Sequence, residues 1–229
     1  MLSESDMNRM RLILMPGKSP PPHLDEYYLK AYECWRQVWK DTFVELNGND
    51  QIYSDDFVRQ DEVCAIFLDD ICLATTFFNW VDFRFPTAQD DSYFKVWTID
   101  AIAKLTKHNP VVLVCSYFTL NLKCRRGALG LNMKEILLSA IVRRFQDTDV
   151  RSMTGTVRNN RGVNTVCYRH GAEPLEKDLT LHGVEVDLLA FYQETVSLSS
   201  DPVVAKVVNH MWDRRITSKD VSEHLRRVA

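Results

Sequence analysis

The stretch VVLVCSYFTLNLKCRRGALGLNMKEILLSAIVRRF, residues 111–145, constrains the fold more than any other segment. Its first part is rich in β-branched and aromatic residues and predicts a long strand over Val111–Leu122. Its last part sets Met133, Ile136, Leu137, Ala140, Ile141 and Phe145 on one helical stripe. Between them lies a basic, glycine-containing turn, Cys124 to Gly130. A strand that feeds a helix through such a turn leaves backbone N–H groups pointing outward, with partial positive charge, where phosphate binds well. Glycine lets the backbone approach a ligand, and Arg125 and Arg126 add fixed charge. Taken alone, the segment is equally a strand-to-helix turn whose arginines face water. It contains neither GxxxxGK[ST] nor GxGxxG.

The flanking sequence supplies a layered α/β pattern. Arg11–Met15 predicts a first strand, and PGKSPPPH reads as an extended linker. Tyr28, Ala31, Trp35, Val38, Trp39, Thr42 and Phe43 recur at helical steps from Asp25 to about Leu46. Glu62–Leu68 and Ile71–Trp80 flank the turn signal Asp69-Asp70. Asp90–Leu105 predicts a helix, and Val150–Val157 a strand. A short helix runs from Asn159-Asn160 to about Tyr168, closed by Gly171. Glu173–Glu176 and Thr180–Tyr192 predict two strands. Asp201-Pro202 opens a C-terminal helix, and Ser218–Val228 reads as another. Such an order implies a mixed sheet with helices on both faces.

Composition bounds the function class. Of 229 residues, 45% are apolar and 26% charged, with net charge −3, so the chain can bury a full core and carries no basic excess for nucleic acid. Six cysteines include no CxxC pair, and no histidine cluster has metal-ligand spacing, which predicts reduced thiols and no metal. The apolar patch near the N-terminus is too short for a signal peptide or a membrane span. The expectation is a cytoplasmic protein.

Two segments together resemble the GNAT superfamily of acyltransferases. The turn is similar to the family's acyl-CoA pyrophosphate loop, [QR]-x-x-G-x-[GA]. With Arg125 in the first position, Ala128 falls at the Gly and Gly130 at the last position. In the Arg126-Gly127 register, Leu129 stands where Gly is usual. RNNRGVNTVCYRHGAE, residues 158–173, resembles the following element, N-x-x-A-x-x-L-Y-x-x-x-G-F. Counting from Asn160 places Val163, Val166 and Cys167 at the Ala, Leu and Tyr, and Gly171-Ala172 at the Gly-Phe. Tyr168 lies one residue after the family's tyrosine. YECWRQVWKDTFVELNG and SDDFVRQDEVCAIFLDDICLATTFF look like the N-terminal half of acyl-homoserine lactone synthases and long-chain N-acyl amino acid synthases. The lactone synthases place an arginine in the third strand, where this chain has Ala74, Thr75 and Thr76.

The resemblance implies a GNAT-like α/β fold. That fold has a central, mostly antiparallel mixed sheet flanked by helices. Here it would span residues 1–196, with a C-terminal helical extension over 197–229. It implies an N-acyltransferase that moves an acyl group from acyl-CoA, or from the phosphopantetheine of acyl carrier protein, to a small-molecule amine or amino acid. Implied carrier-binding residues are Leu120, Leu122, Arg125, Arg126, Gly127, Ala128, Leu129 and Gly130, the two leucines through backbone N–H groups. Asn160 and Tyr168 are the implied catalytic residues, Tyr168 serving the leaving thiolate. Homodimerisation is left open, as is a catalytically inactive GNAT-fold binding or sensing module.

Several side chains admit two readings. His170 is either a base or a surface histidine at a helix end. Trp35, Trp39, Phe77, Phe78 and Trp80 either line a long acyl tunnel or fill the core. Cys167 lacks an evident activating partner. Val203, Val207 and Met211 form a stripe suited to a docked cap or to a partner.

Overall fold

A computed structural model describes residues 4–127 and 130–218. Helix α1 (Glu4–Arg9), strand β1 (Met10–Pro16), the long helix α2 (Asp25–Asn47) and the short α3 (Asp55–Val58) come first. Strands β2 (Glu62–Leu68) and β3 (Ile71–Asp82) follow, then α4 (Pro86–Gln89), α5 (Ile99–Leu105) and β4 (Val111–Leu120). The second half holds α6 (Met133–Gln146), β5 (Ser152–Arg158), α7 (Val163–Arg169), β6 (Glu173–Leu181), β7 (Val184–Tyr192), α8 (Pro202–Asp213) and β8 (Ile216–Thr217). One mixed sheet joins the described strands in the order β6-β7-β5-β4-β3-β2-β1-β8, parallel only at β4–β5 and β1–β8.

Side-chain alternation sorts the core into two layers. Leu12, Leu14, Cys64, Ile66 and Met153 face α6, α7 and α8. Ile13, Met15, Val63, Ala65 and Phe67 face α2. Val112, Val114, Leu188 and Ala190 lie on this second face too, under α5 with Phe94 and Trp97. The expected C-terminal helix is α8. Asp201 caps it by accepting from the N–H groups of Val203 and Val204, and Pro202 takes the first helical position. Val207 and Met211 are buried in the core that holds α6, while Val203 is exposed, so the stripe docks on its own domain.

Two expected segments are divided differently. The helix expected over Asp90–Leu105 divides into a 3₁₀ turn, Ser92–Phe94, capped by Asp91, and α5, capped by Thr98. Those local caps satisfy N–H groups that a continuous helix would use, and they free Phe94 and Trp97 to pack inward. The last hairpin turns at His182-Gly183, both at positive φ, so β6 runs unbroken in sequence from Glu173 to Leu181. Of the final expected helix, Ser218 follows β8 and the remainder lies outside the described residues.

A buried ion pair ties the sheet to α6. Arg144 donates to Glu62 from Nε at 2.7 Å and from Nη2 at 3.1 Å, and both side chains are almost fully buried. The guanidinium also lies over the Trp80 ring.

Candidate active site

The sheet is open where β4 and β5 diverge. These strands pair in parallel only at Val112–Val114 with Ser152–Thr154, although β4 continues to Leu120 and β5 to Arg158. The last close approach is at Gly155, where a Cβ would stand 3.2 Å from the Cys115 carbonyl oxygen. Beyond it a bulge turns β4 aside. Thr75 and Phe77 of β3 oppose Thr119 and Ser116, so β4 carries one extra residue, with Tyr117 at φ 55°. A non-glycine residue holds that conformation only where its surroundings over-determine it. Here Tyr117 packs against Trp39 at 4.9 Å between ring centroids, against Phe77 at 5.3 Å and against Trp35 at 5.7 Å.

The opening is a cleft of about 780 Å³. Val38, Trp39 and Thr42 of α2 line it from one face of the sheet, and Met133 and Lys134 of α6 from the other. It therefore passes through the sheet. Leu120, Thr156, Val157 and Arg158 form its strand walls. Such size and mixed lining suit a small organic ligand.

The far edge is pinned from both faces. Lys134 donates to the Arg161 carbonyl at 2.7 Å from the α6 side. From the α2 side Glu45 accepts from Arg158 at 3.0 Å and also pairs with Arg161. Burial pushes the Glu45 carboxyl up, but the two guanidinium groups outweigh it and hold it below the usual range. Arg158 spends only Nη2 on this pair, and its Nε is buried without a partner.

The structure sorts the expected site residues. Leu120, Gly130 and Asn160 line the cleft, Gly130 at φ 65°. Leu122 is exposed in a 3₁₀ turn, Leu122–Gly127, and is not among the lining residues. Arg125, Arg126 and Gly127 are described only as backbone of that turn, and Ala128 and Leu129 lie outside the described residues. The turn does not run straight into the helix: α6 begins at Met133, because Asn132 caps it by accepting from the Glu135 N–H. Asn132, Met133 and Lys134 thus bring the helix N-terminus to the cleft, a contribution the sequence reading missed. The signal was Asn132 three residues before Glu135, a capping-box spacing.

Tyr168 is not among the residues lining the cleft. Its hydroxyl donates to Asp187 at 2.5 Å. Burial, then the carboxylate, pushes its phenol well above the usual range. Asp187 also accepts from Asn159, Asn164 and the Asp178 N–H, so Tyr168 is one of several donors to a buried carboxylate. A short helix entered through Gly162 at φ 63° sets this phase.

His170 is not a surface histidine, and both of its ring nitrogens have partners. It is buried, with Nδ1 at 2.8 Å from the Ser197 carbonyl and Nε2 at 3.0 Å from Glu135. Cys167 is buried, and that burial pushes its thiol far up. Cys124 lines the cleft, where burial pushes its thiol up to about 11, so it is protonated at neutral pH. Among the described lining residues there is no Asp, Glu or His. Among the described residues no group of His, Cys, Asp and Glu side chains is placed to hold a metal, and no helix is long and apolar enough to cross a membrane.

The eight-stranded mixed sheet flanked by helices matches GNAT-like acyltransferase folds. Solved structures show the likeness directly. The N-acyl amino acid synthase FeeM from uncultured soil microbes superposes with a TM-score of 0.55 at 11% identity, covering 81% of this chain and 92% of that one. The AHL synthase LasI gives 0.54 at 13%, covering 80% and 90%. A CoA-dependent acyl-homoserine lactone synthase, BjaI, solved with SAM and isopentyl-CoA, gives 0.53 at 13%, covering 91% and 92%. No protein-family model matches the sequence, and no curated protein sequence matches it.

Proposed function

We propose that this protein is an N-acyltransferase that moves an acyl group from a pantetheine thioester, acyl-CoA or acyl carrier protein, to the amine of a small molecule or amino acid. The observation that carries this reading is the cleft through the sheet where β4 and β5 part. A thioester arm lying there would meet an acceptor held between the same strand walls, which brings the two reactants together in one channel. On the α6 side, Lys134 and the helix N-terminus suit a phosphate-bearing carrier. Arg125–Gly130 remain the proposed loop for its diphosphate. The solved CoA-dependent BjaI supports a coenzyme A donor by likeness of fold.

The reaction needs the amine deprotonated, the oxyanion stabilised and the thiolate protonated. The backbone N–H of Leu120, on β4 beyond its last pair with β5, would serve the oxyanion. Asn160, on the facing wall, would orient the acceptor or a water that relays its proton.

Isothermal titration with coenzyme A and acetyl-CoA, with native mass spectrometry of protein purified from cells, tests the reading. Saturable binding, or a co-purifying CoA or acyl carrier protein adduct, is expected. Failure to bind coenzyme A and to retain any pantetheine carrier would end it.

A second reading, an inactive GNAT-fold binding module, is favoured by the absence of Asp, Glu and His among the described lining residues and by the commitment of Tyr168 to Asp187. The outcome that selects it is coenzyme A binding without thiol release from acetyl-CoA across a broad amine panel.

A further inference from the structure

We propose that the cleft takes a short acyl group and excludes long ones, because Trp39 and Tyr117 close its α2 end, opposite the side where the carrier would enter; this rests on the reading that the cleft holds a pantetheine thioester. The apolar lining divides between the two faces of the sheet: Val38, Trp39 and Tyr117 stand on the α2 side, and Phe118, Leu120, Leu131, Met133, Val157 and Val163 on the α6 side. An acyl chain extending past the latter toward α2 meets the Trp39 and Tyr117 rings, packed edge to face.

Neither ring is free to swing. The Trp39 indole N–H donates to the Thr119 hydroxyl at 2.9 Å, and that hydroxyl donates to the Tyr117 carbonyl at 2.6 Å. Tyr117 is aimed by its own strained backbone at the bulge. Behind the pair there is a second layer of rings. Trp35, Phe57 and Phe77 are fully buried and touch one another, at centroid distances of 5.5 Å for Trp35–Phe57 and 5.1 Å for Phe57–Phe77. A chain long enough to enter this layer would have to displace close-packed aromatics, which offsets the gain from burying the chain. Of the five aromatics that could have formed a long tunnel, Trp35, Phe77 and Phe78 are wholly core, Trp80 sits under Arg144, and only Trp39 reaches the cleft.

The test is isothermal titration of the full chain with coenzyme A and its inert S-ethyl, S-butyl, S-hexyl and S-octyl thioethers. In an open apolar tunnel each added methylene raises affinity about fourfold. Here affinity is expected to rise as far as S-butyl and then to level or fall. A continued rise through S-octyl in the unaltered protein overturns the proposal, whatever the variants do. Trp39→Ala should raise the ratio of S-octyl to S-ethyl affinity on the order of tenfold. A folded Trp39→Ala protein with the original ratio removes Trp39 as the wall. If coenzyme A itself does not bind, the carrier reading fails and this proposal falls with it. Good coenzyme A binding with a profile that keeps rising sinks the proposal alone.

Discussion

The indole N–H of Trp39 and the hydroxyl of Thr119 meet at 2.9 Å across 80 positions of sequence, joining the long helix α2 to the strand just past its bulge. Thr119 is fully buried, and its own hydroxyl donates a hydrogen bond to the Tyr117 carbonyl. One side chain therefore fixes both the bulge and the aromatic wall of the cleft. Thr119→Val, nearly the same shape, deletes both bonds and leaves the indole donor unpaired. We expect a loss of about 1–3 kcal/mol in urea unfolding. A loss under about 0.5 kcal/mol would show that the bond does not hold the wall.

The Glu62–Arg144 pair makes a second prediction. Burial pushes the Glu62 carboxyl up more than Arg144 pulls it down, which shows how much this carboxylate depends on its partner. Arg144→Met strands it in the core, and a loss of about 3–5 kcal/mol is expected. Glu62→Leu combined with Arg144→Met should recover most of that loss. Thermal and denaturant unfolding of the three variants measure it, and a double variant no better than Arg144→Met would refute the desolvation argument.

Tyr168→Phe separates chemistry from architecture. Because its hydroxyl serves Asp187 outside the cleft lining, the variant should lose about 1–3 kcal/mol of stability while coenzyme A affinity holds within about twofold. A large fall in turnover with unchanged stability would return Tyr168 to the role of thiolate acid.

Glu135 predicts an acid-side signature. Burial pushes its carboxyl up, but hydrogen bonds from Arg169 and His170 outweigh burial and hold it below the usual range. A depressed folded value contributes stability above the unfolded carboxylate value, about pH 4.3, and loses it as pH falls through the folded value. Glu135→Gln should therefore be less stable at neutral pH and show a shallower decline between about pH 4.5 and 3. Urea midpoints across that range decide it, and parallel curves would exclude Glu135 as the source.

Much of the fold was legible in the chain because its signals are local. The β-branched and aromatic run of β4, the apolar stripe of α6 and the Asp201-Pro202 cap each act within a few residues. The site was legible only in part. Gly130 and Asn160 could be placed by motif, and both line the cleft. Tyr168 could not, because one residue of helical phase decides whether a side chain faces the cleft or Asp187, and that phase is set by the turn at Gly162 and by donors from Asn159 and Asn164. His170 read as exposed because nothing nearby in sequence announces Glu135 or Ser197, 35 and 27 residues away.

By itself the sequence determined the order of the longer strands and helices, where most of them cap or break, and that a basic turn lies between a long strand and an apolar helix. Hydrogen bonding and apolar periodicity over a single turn or strand are enough for that. Only the tertiary structure decided that β4 and β5 part after three pairs, that Trp39 and Tyr117 wall the opening, and that Glu45 and Lys134 pin its far edge. Those features are contacts between distant segments, and their energy exists only once the sheet has brought both sides together.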